Sequence, residues 1–327
     1  MAEPLLRQAL PATISVILSS LGLSVLPLVY HPNYSFPFPG EHRFPMEKFG
    51  LLHGHLRATG IARGDNEYRP GRAKPALLGQ VHCPDYVSAI VNGDLDQKAQ
   101  RRMGLPWSAG LVKRTCIAPM GTLMTAQLAL QQGLACHLAG GTHHAHYDFG
   151  SGFCIFNDLA FAAQQLLASG AIERLLIFDC DVHQGDGTAA MLADEPRAFT
   201  CSIHCEKNFP VRKQHSDLDV GLPLGMTDRG YLDTVFGTLE TLLDTVCPQL
   251  VLYDAGVDIF EQDPLGRLCI SEQGIADRER GVIERCRRRG IPVATVIGGG
   301  YDDDREALAR RHAIVVEASH ELATKSL

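Results

Sequence analysis

Residues 174–187 read "RLLIFDCDVHQGDG". An apolar run ends at Phe178. Asp179, Asp181 and His183 then fall at every second position, and Asp186 follows among glycines. A short apolar run bounded by turn residues fits a buried strand. Residues two apart on a strand face the same way, so this strand ends by presenting two carboxylates and an imidazole together. A polar turn and a metal site share this composition, and the stretch alone does not choose between them.

The pattern recurs along the chain. Strands are expected within "LACHLAG" (134–140), "AFTCSIH" (198–204), "QLVLYDAG" (249–256) and "IPVATVIGGG" (291–300). Helical spacing predicts helices over 120–132, stopped by Gly133, and within 158–170, 231–246, 271–290 and 305–323. Strands alternating with helices indicate a parallel sheet with helices on both faces, an α/β fold. Chemically rich stretches follow four of these strands: "GGTHHAHYD" (140–148), "DCDVHQGDG" (179–187), "YDAGVDIFEQDPLG" (253–266) and "GGGYDDD" (298–304). Reactive residues in such sheets gather where strands end at their carboxyl edge, so four distant segments should meet there.

Composition bounds the function. The chain has 327 residues, 45% hydrophobic and 20% charged, ample for one large core. A net charge of −7 argues against direct nucleic-acid binding, which needs a basic face. The 10 cysteines form no C-x-x-C pair and lie mostly in apolar stretches. They read as free thiols in a reducing compartment, and a cytoplasmic location is expected. Residues 8–30 carry no charge and resemble a weak signal peptide or marginal span, but prolines and serines dilute them. A short N-terminal helix ahead of a first strand in "LPLVYHP" (26–32) is expected instead, with no stable membrane span. The division is an extension over 1–25 and one catalytic domain over 26–327. Nothing in the sequence sets an oligomeric state.

Asp181 and His183 can reach one ion from a strand end, and Asp258, after a later strand, can add a second carboxylate. Two carboxylates and a neutral imidazole suit a divalent ion such as Zn²⁺, and three protein ligands leave room for water. His143 and His144 are adjacent; imidazoles suit proton transfer near neutral pH. Asp179 and Asp186 are candidate partners that would fix their tautomers. Tyr301 follows a glycine run and could aim its hydroxyl at an oxyanion.

Together, "GGTHHAHYDFGSGFCIFND", "DCDVHQGDGT", "DAGVDIFEQDPLG" and "GGGY" resemble the zinc-dependent histone deacetylase family, which includes bacterial acetoin-utilisation and acetylpolyamine deacetylases. The resemblance runs from about Leu26 to His312. It implies the arginase–deacetylase fold, a single parallel sheet of about eight strands flanked by helices. It implies Asp181, His183 and Asp258 as ligands of Zn²⁺, with Fe²⁺ as an alternative. His143, His144, Asp179, Asp186 and Tyr301 match the family's catalytic groups. Gly152, Phe153 and Phe209 match the walls of its acyl-lysine tunnel. Asp179, Asp181, His183 and Ser202 match a structural monovalent-cation site, usually K⁺. "LPLVYHPNYSFPFPGEHRFPMEKF" (26–49) and Gln184 are most similar to the class IV branch and its bacterial relatives. Phe36, Phe38 and Phe44 in that stretch either widen an acyl pocket or belong to the core. No acidic rim residue is matched in "NGDLDQKAQRRMG" (92–104).

The implied reaction removes acetyl or longer acyl groups from a protein lysine or from a small acylated amine such as an acetylpolyamine. A dinuclear ureohydrolase would need aspartate at 185 and a second ligand at 260, where glycine and Phe260 stand. No G-x-S-x-G elbow or dinucleotide fingerprint appears. A non-catalytic acyl-lysine binding protein would be expected to have lost a ligand or Tyr301, and all are present.

Overall fold

The computed structural model describes residues 25–324. The expected N-terminal helix lies outside them. Eight parallel strands form one sheet: β1 (Leu28–Val29), β2 (Glu67–Tyr68), β3 (Leu134–His137), β4 (Leu175–Asp179), β5 (Ala198–Cys205), β6 (Leu218–Leu222), β7 (Val251–Asp254) and β8 (Val293–Val296). Their order is β2-β1-β3-β8-β7-β4-β5-β6. The helices are α1 (Lys48–Ala58), α2 (Pro75–Leu78), α3 (Pro84–Asn92), α4 (Gln97–Met103), α5 (Ala109–Gln132), α6 (Asp158–Ala168), α7 (Asp186–Leu192), α8 (Asp228–Val246), α9 (Glu272–Arg288) and α10 (Arg305–Thr324).

The central strands β3, β4, β7 and β8 are buried on both faces, which is why they read as continuous apolar runs. Leu175 and Ile177 of β4 pack on one side with Leu159, Leu166 and Leu192 from α6 and α7. Leu176 and Phe178 face the opposite core, which includes Phe49, Val235, Ile275 and Leu308 from α1, α8, α9 and α10. Gly133 ends α5 in a left-handed conformation, as its position predicts. β2 and β6 had no sequence signal. β2 is two residues long, and β6 ("LDVGL") is a half-exposed edge strand containing a charge and a glycine.

The central strands β7 and β4 are braced from α9. Arg278 is fully buried and donates to the Cys180 carbonyl at 3.1 Å and to the Tyr231 hydroxyl at 3.0 Å. It also pairs with buried Glu279, which accepts from the Tyr253 hydroxyl at 2.6 Å. Removing one partner of such a pair strands the other charge. Arg278→Ala should therefore lower unfolding stability by about 3–5 kcal/mol in a denaturant titration.

Candidate active site

Strands β3, β8, β7 and β4 stand side by side as four consecutive strands of the sheet, so the loops beyond their carboxyl ends converge. Asp181 and His183 lie just past β4, and Asp258 lies just past β7. His183 Nδ1 is 3.1 Å from Asp181 Oδ1 and 3.1 Å from Asp258 Oδ2. All three residues are buried. Donor atoms on a tetrahedral ion with bonds near 2.0 Å stand about 3.3 Å apart, so the spacing fits one small divalent cation. Burial opposes charging of His183, but the two carboxylates raise its pKa to about 10. Asp258 rises to about 6 through burial and the charge of Asp181. In this arrangement the imidazole carries a proton between two carboxylates, and a cation would take that proton's place.

Glycines make the close approach feasible. The Gly299 N–H donates to Asp181 Oδ2 at 2.7 Å, and a Cβ on Gly299 would overlap both the Asp181 and the Asp258 carboxylates. Gly185, where a dinuclear enzyme needs aspartate, has its Cβ direction filled by the Asp179 carboxylate. A side chain at 185 would therefore have to displace Asp179.

Both histidines are backed by carboxylates. His143 Nδ1 is 2.7 Å from Asp179 Oδ2, and His144 Nδ1 is 2.6 Å from Asp186 Oδ1. Asp186 also binds His146 Nε2 at 2.9 Å. The two Nε2 atoms face each other at 3.2 Å, so one ring donates to the other. Burial opposes charge on His143, yet Asp179 and Asp181 raise it well above the usual imidazole range. Burial and the charge of His143 push His144 down to about 4. These opposite shifts favour the proton on His143 over His144.

Tyr301 is held by its backbone N–H, which donates to Asp263 Oδ2 at 2.7 Å. Burial and the charge of Asp258 keep its hydroxyl protonated well above its normal range. Gly152 (φ +52°) and Phe153 (φ +65°) both adopt left-handed backbone. Any Cβ on Gly152 would meet the His144 ring at 2.5 Å and Phe209 at 3.0 Å. A bulky residue such as Phe153 pays strain in that region, a pattern concentrated at functional sites. The Phe209 ring stands perpendicular to His144 at 4.8 Å.

His144, Gly152, Phe153, His183 and Tyr301 separate two spaces. Outward lies a mouth of about 570 Å³ that also touches Phe209 and Leu265. Inward lies a smaller chamber bordered by Phe44, Lys48, Phe49 and Arg114. Phe44 thus faces the chamber, whereas Phe36 and Phe38 are half-buried and line neither space. Ser202 on β5 pairs in register with Asp179 on β4, which brings the expected monovalent-cation residues together.

The histidine loop is fixed by buried His82. Its Nδ1–H donates to the His146 carbonyl at 3.0 Å, and its Nε2 accepts from the Asn157 N–H at 3.0 Å. The Asn157 side chain in turn donates to the Ala145 carbonyl at 3.1 Å. Protonating Nε2 would break this chain, and burial lowers the His82 pKa to about 4. Between the unfolded value of about 6.5 and 4, the unfolded state binds a proton that the folded state does not. This contribution to stability is complete above pH 6.5 and is lost as pH falls toward 4. His82→Gln should keep a donor and an acceptor yet reduce the slope of stability against pH by about one proton in that window, measured by denaturant titration across pH.

A family model described as histone deacetylase domain matches residues 42–318. The fold and the converging site define an arginase–deacetylase type α/β protein, and the chain belongs to the histone deacetylase family. It is 53% identical over 296 residues to an uncharacterised protein of Picosynechococcus, covering 90% of this chain and 99% of that one. It is 29% identical to histone deacetylase 2 of Arabidopsis thaliana, covering 85% of this chain and 75% of the relative. A probable deacetylase of Archaeoglobus fulgidus is 26% identical, with 84% and 80% covered.

Every site residue expected from the sequence converges on this edge. Several buried groups carried no sequence signal. Lys48 donates to the carbonyls of Gly298 (3.3 Å) and Gly300 (3.4 Å), bracing the loop before Tyr301. Asp254 sits at the end of β7 with neither carboxylate oxygen hydrogen-bonded among the described residues, and its Oδ2 lies 4.0 Å from His143 Nδ1. A lone lysine in an early helix and an aspartate at a strand end look like surface residues until the sheet order brings them inside.

Proposed function

We propose that the protein is a zinc-dependent amidohydrolase that removes acetyl or longer acyl groups from the ε-amine of lysine or a related amine. The observation that carries this reading is the convergence of three close metal donors, two histidine–carboxylate pairs and Tyr301 around one passage. Asp181, His183 and Asp258 would hold Zn²⁺, or Fe²⁺. When bound, the ion supplies Lewis acidity to the acyl carbonyl and makes water acidic enough to act as a nucleophile near neutral pH.

The residues of the chain do the rest. Gly152, Phe153 and Phe209 line the passage and exclude bulk water from the acylated amine. Neutral His144, oriented by Asp186, takes the proton from the attacking water and returns it to the departing amine. Charged His143, held by Asp179, keeps positive charge beside the developing oxyanion. Tyr301 donates its hydroxyl hydrogen to that oxyanion. K⁺ bound near Asp179, Ser202 and the backbone of Asp181 and His183 would stiffen the turn carrying the ligands. The free thiols support a reducing, cytoplasmic setting, and no helix among the described residues is long and apolar enough to cross a membrane. The test is a panel of acetyl-, butyryl- and myristoyl-lysine peptides beside acetylated polyamines, with zinc-loaded protein. Release of carboxylate from any of them supports the reading; none from all of them contradicts it.

A further inference from the structure

We propose that the preferred substrate carries a carboxylate near its acylated amine, and that Arg101, Arg102 and Arg267 at the mouth select for it. The inference rests on the amide-hydrolase reading and adds a substrate class to it.

Arg101 and Arg102, at the end of α4, stand on one side of the mouth; Arg267, on the loop after β7, also lines it. Among the described residues no aspartate or glutamate lines this space. That runs against the chain as a whole, which has 37 acidic and 30 basic residues. Among the described residues none of the three arginines makes an ion pair, whereas the similarly exposed Arg57 and Arg197 do. Nearby carboxylates are occupied elsewhere. Asp96 caps α4 by accepting from the Ala99 N–H at 2.7 Å. Asp263, in the same loop as Arg267, is turned inward and accepts from the backbone of Leu265, Gly266 and Tyr301.

A helix C-terminus favours cations and would account for Arg101 and Arg102 without any ligand. It does not account for Arg267, which is on a loop from another part of the chain. Arg101 donates to Gln97 within α4 and the Arg102 guanidinium lies over the Phe149 ring at 4.4 Å, but among the described residues no carboxylate pairs with either of them or with Arg267. The three positive charges around the opening therefore attract an incoming anion and repel a cation. An acylated polyamine, which keeps its other ammonium groups, is therefore disfavoured, as is an acyl-lysine flanked by basic residues. The carboxylate can come from two sources: an acidic residue beside an acyl-lysine in a protein, or the α-carboxylate of free acyl-lysine.

The test compares kcat/KM for terminally blocked acetyl-lysine peptides flanked by glutamate or by lysine, with acetylspermidine alongside. At low salt the glutamate peptide should be favoured on the order of tenfold, summed over exposed pairs of modest individual strength. Raising salt to about 0.5 M should shrink the ratio, since the contacts are screened. R101Q/R267Q should reduce the ratio to about twofold; because the readout is a ratio, a general loss of activity cancels. Free Nε-acetyl-lysine measured against its α-amide distinguishes the two sources. A ratio near one, a preference for the lysine peptide or acetylspermidine, or a ratio unchanged in R101Q/R267Q would overturn the proposal. Binding of the same fluorescent peptides, measured by anisotropy, separates the two claims. Anion preference in binding without cleavage would sustain this inference and sink the hydrolase reading; equal binding of both peptides would overturn this inference whatever the cleavage result.

Discussion

Tyr301→Phe should lower kcat/KM for an acyl-lysine amide by about 10²–10³-fold, with metal content unchanged. The substitution removes one hydroxyl and leaves the ring, whose neighbour Phe153 lies 5.9 Å away. The backbone bond from Tyr301 to Asp263 persists, so the loop keeps its position. Burial holds the hydroxyl in its protonated, donating form throughout the working pH range. Its hydrogen bond strengthens only as the carbonyl oxygen gains charge, so the loss falls on kcat more than on KM. A protein that merely bound acyl-lysine would keep its affinity, which a titration with uncleaved peptide measures directly.

Asp181→Asn should have a larger effect, removing both bound metal and measurable turnover. Asp181 does two things at once. One oxygen faces His183 Nδ1 and the other accepts from the Gly299 N–H. Burial opposes its ionisation, yet His143 and His183 hold it well below the ordinary carboxylate range, so it is a committed anion. An amide of the same shape fills the space but carries no charge to offset the cation. Metal content by mass spectrometry and hydrolysis of an acetyl peptide should fall together, while the circular dichroism spectrum stays that of the parent.

The sheet and its reactive edge were legible because buried parallel strands are written as uninterrupted apolar runs, and the chemistry follows each run directly. "RLLIFDCDVHQGDG" already contained two of the proposed metal donors and both carboxylates that stand behind the histidines. Asp179 and Asp186 were legible as partners of the two histidines, but which carboxylate holds which ring is set by the structure, His143 on Asp179 and His144 on Asp186. What stayed hidden depends on pairings between distant segments. Arg278 reads as one charge among many in a helix rich in arginine and glutamate, and only packing against β4 buries it. The opposite shifts of the two histidines depend on the distances to Asp179, Asp181 and each other, which no spacing encodes. The basic mouth likewise joins the end of α4 to a loop more than 160 residues later.

Chelation and reconstitution test the central claim most directly. The protein as purified is assayed on an acetyl-lysine peptide, stripped with a chelator, and titrated with Zn²⁺ or Fe²⁺ while metal content and hydrolysis are followed together. The account predicts that activity disappears with the ion and returns in proportion to it, saturating near about one catalytic divalent ion per chain. Hydrolysis undiminished in the stripped protein, or saturation only at about two divalent ions per chain, would contradict it.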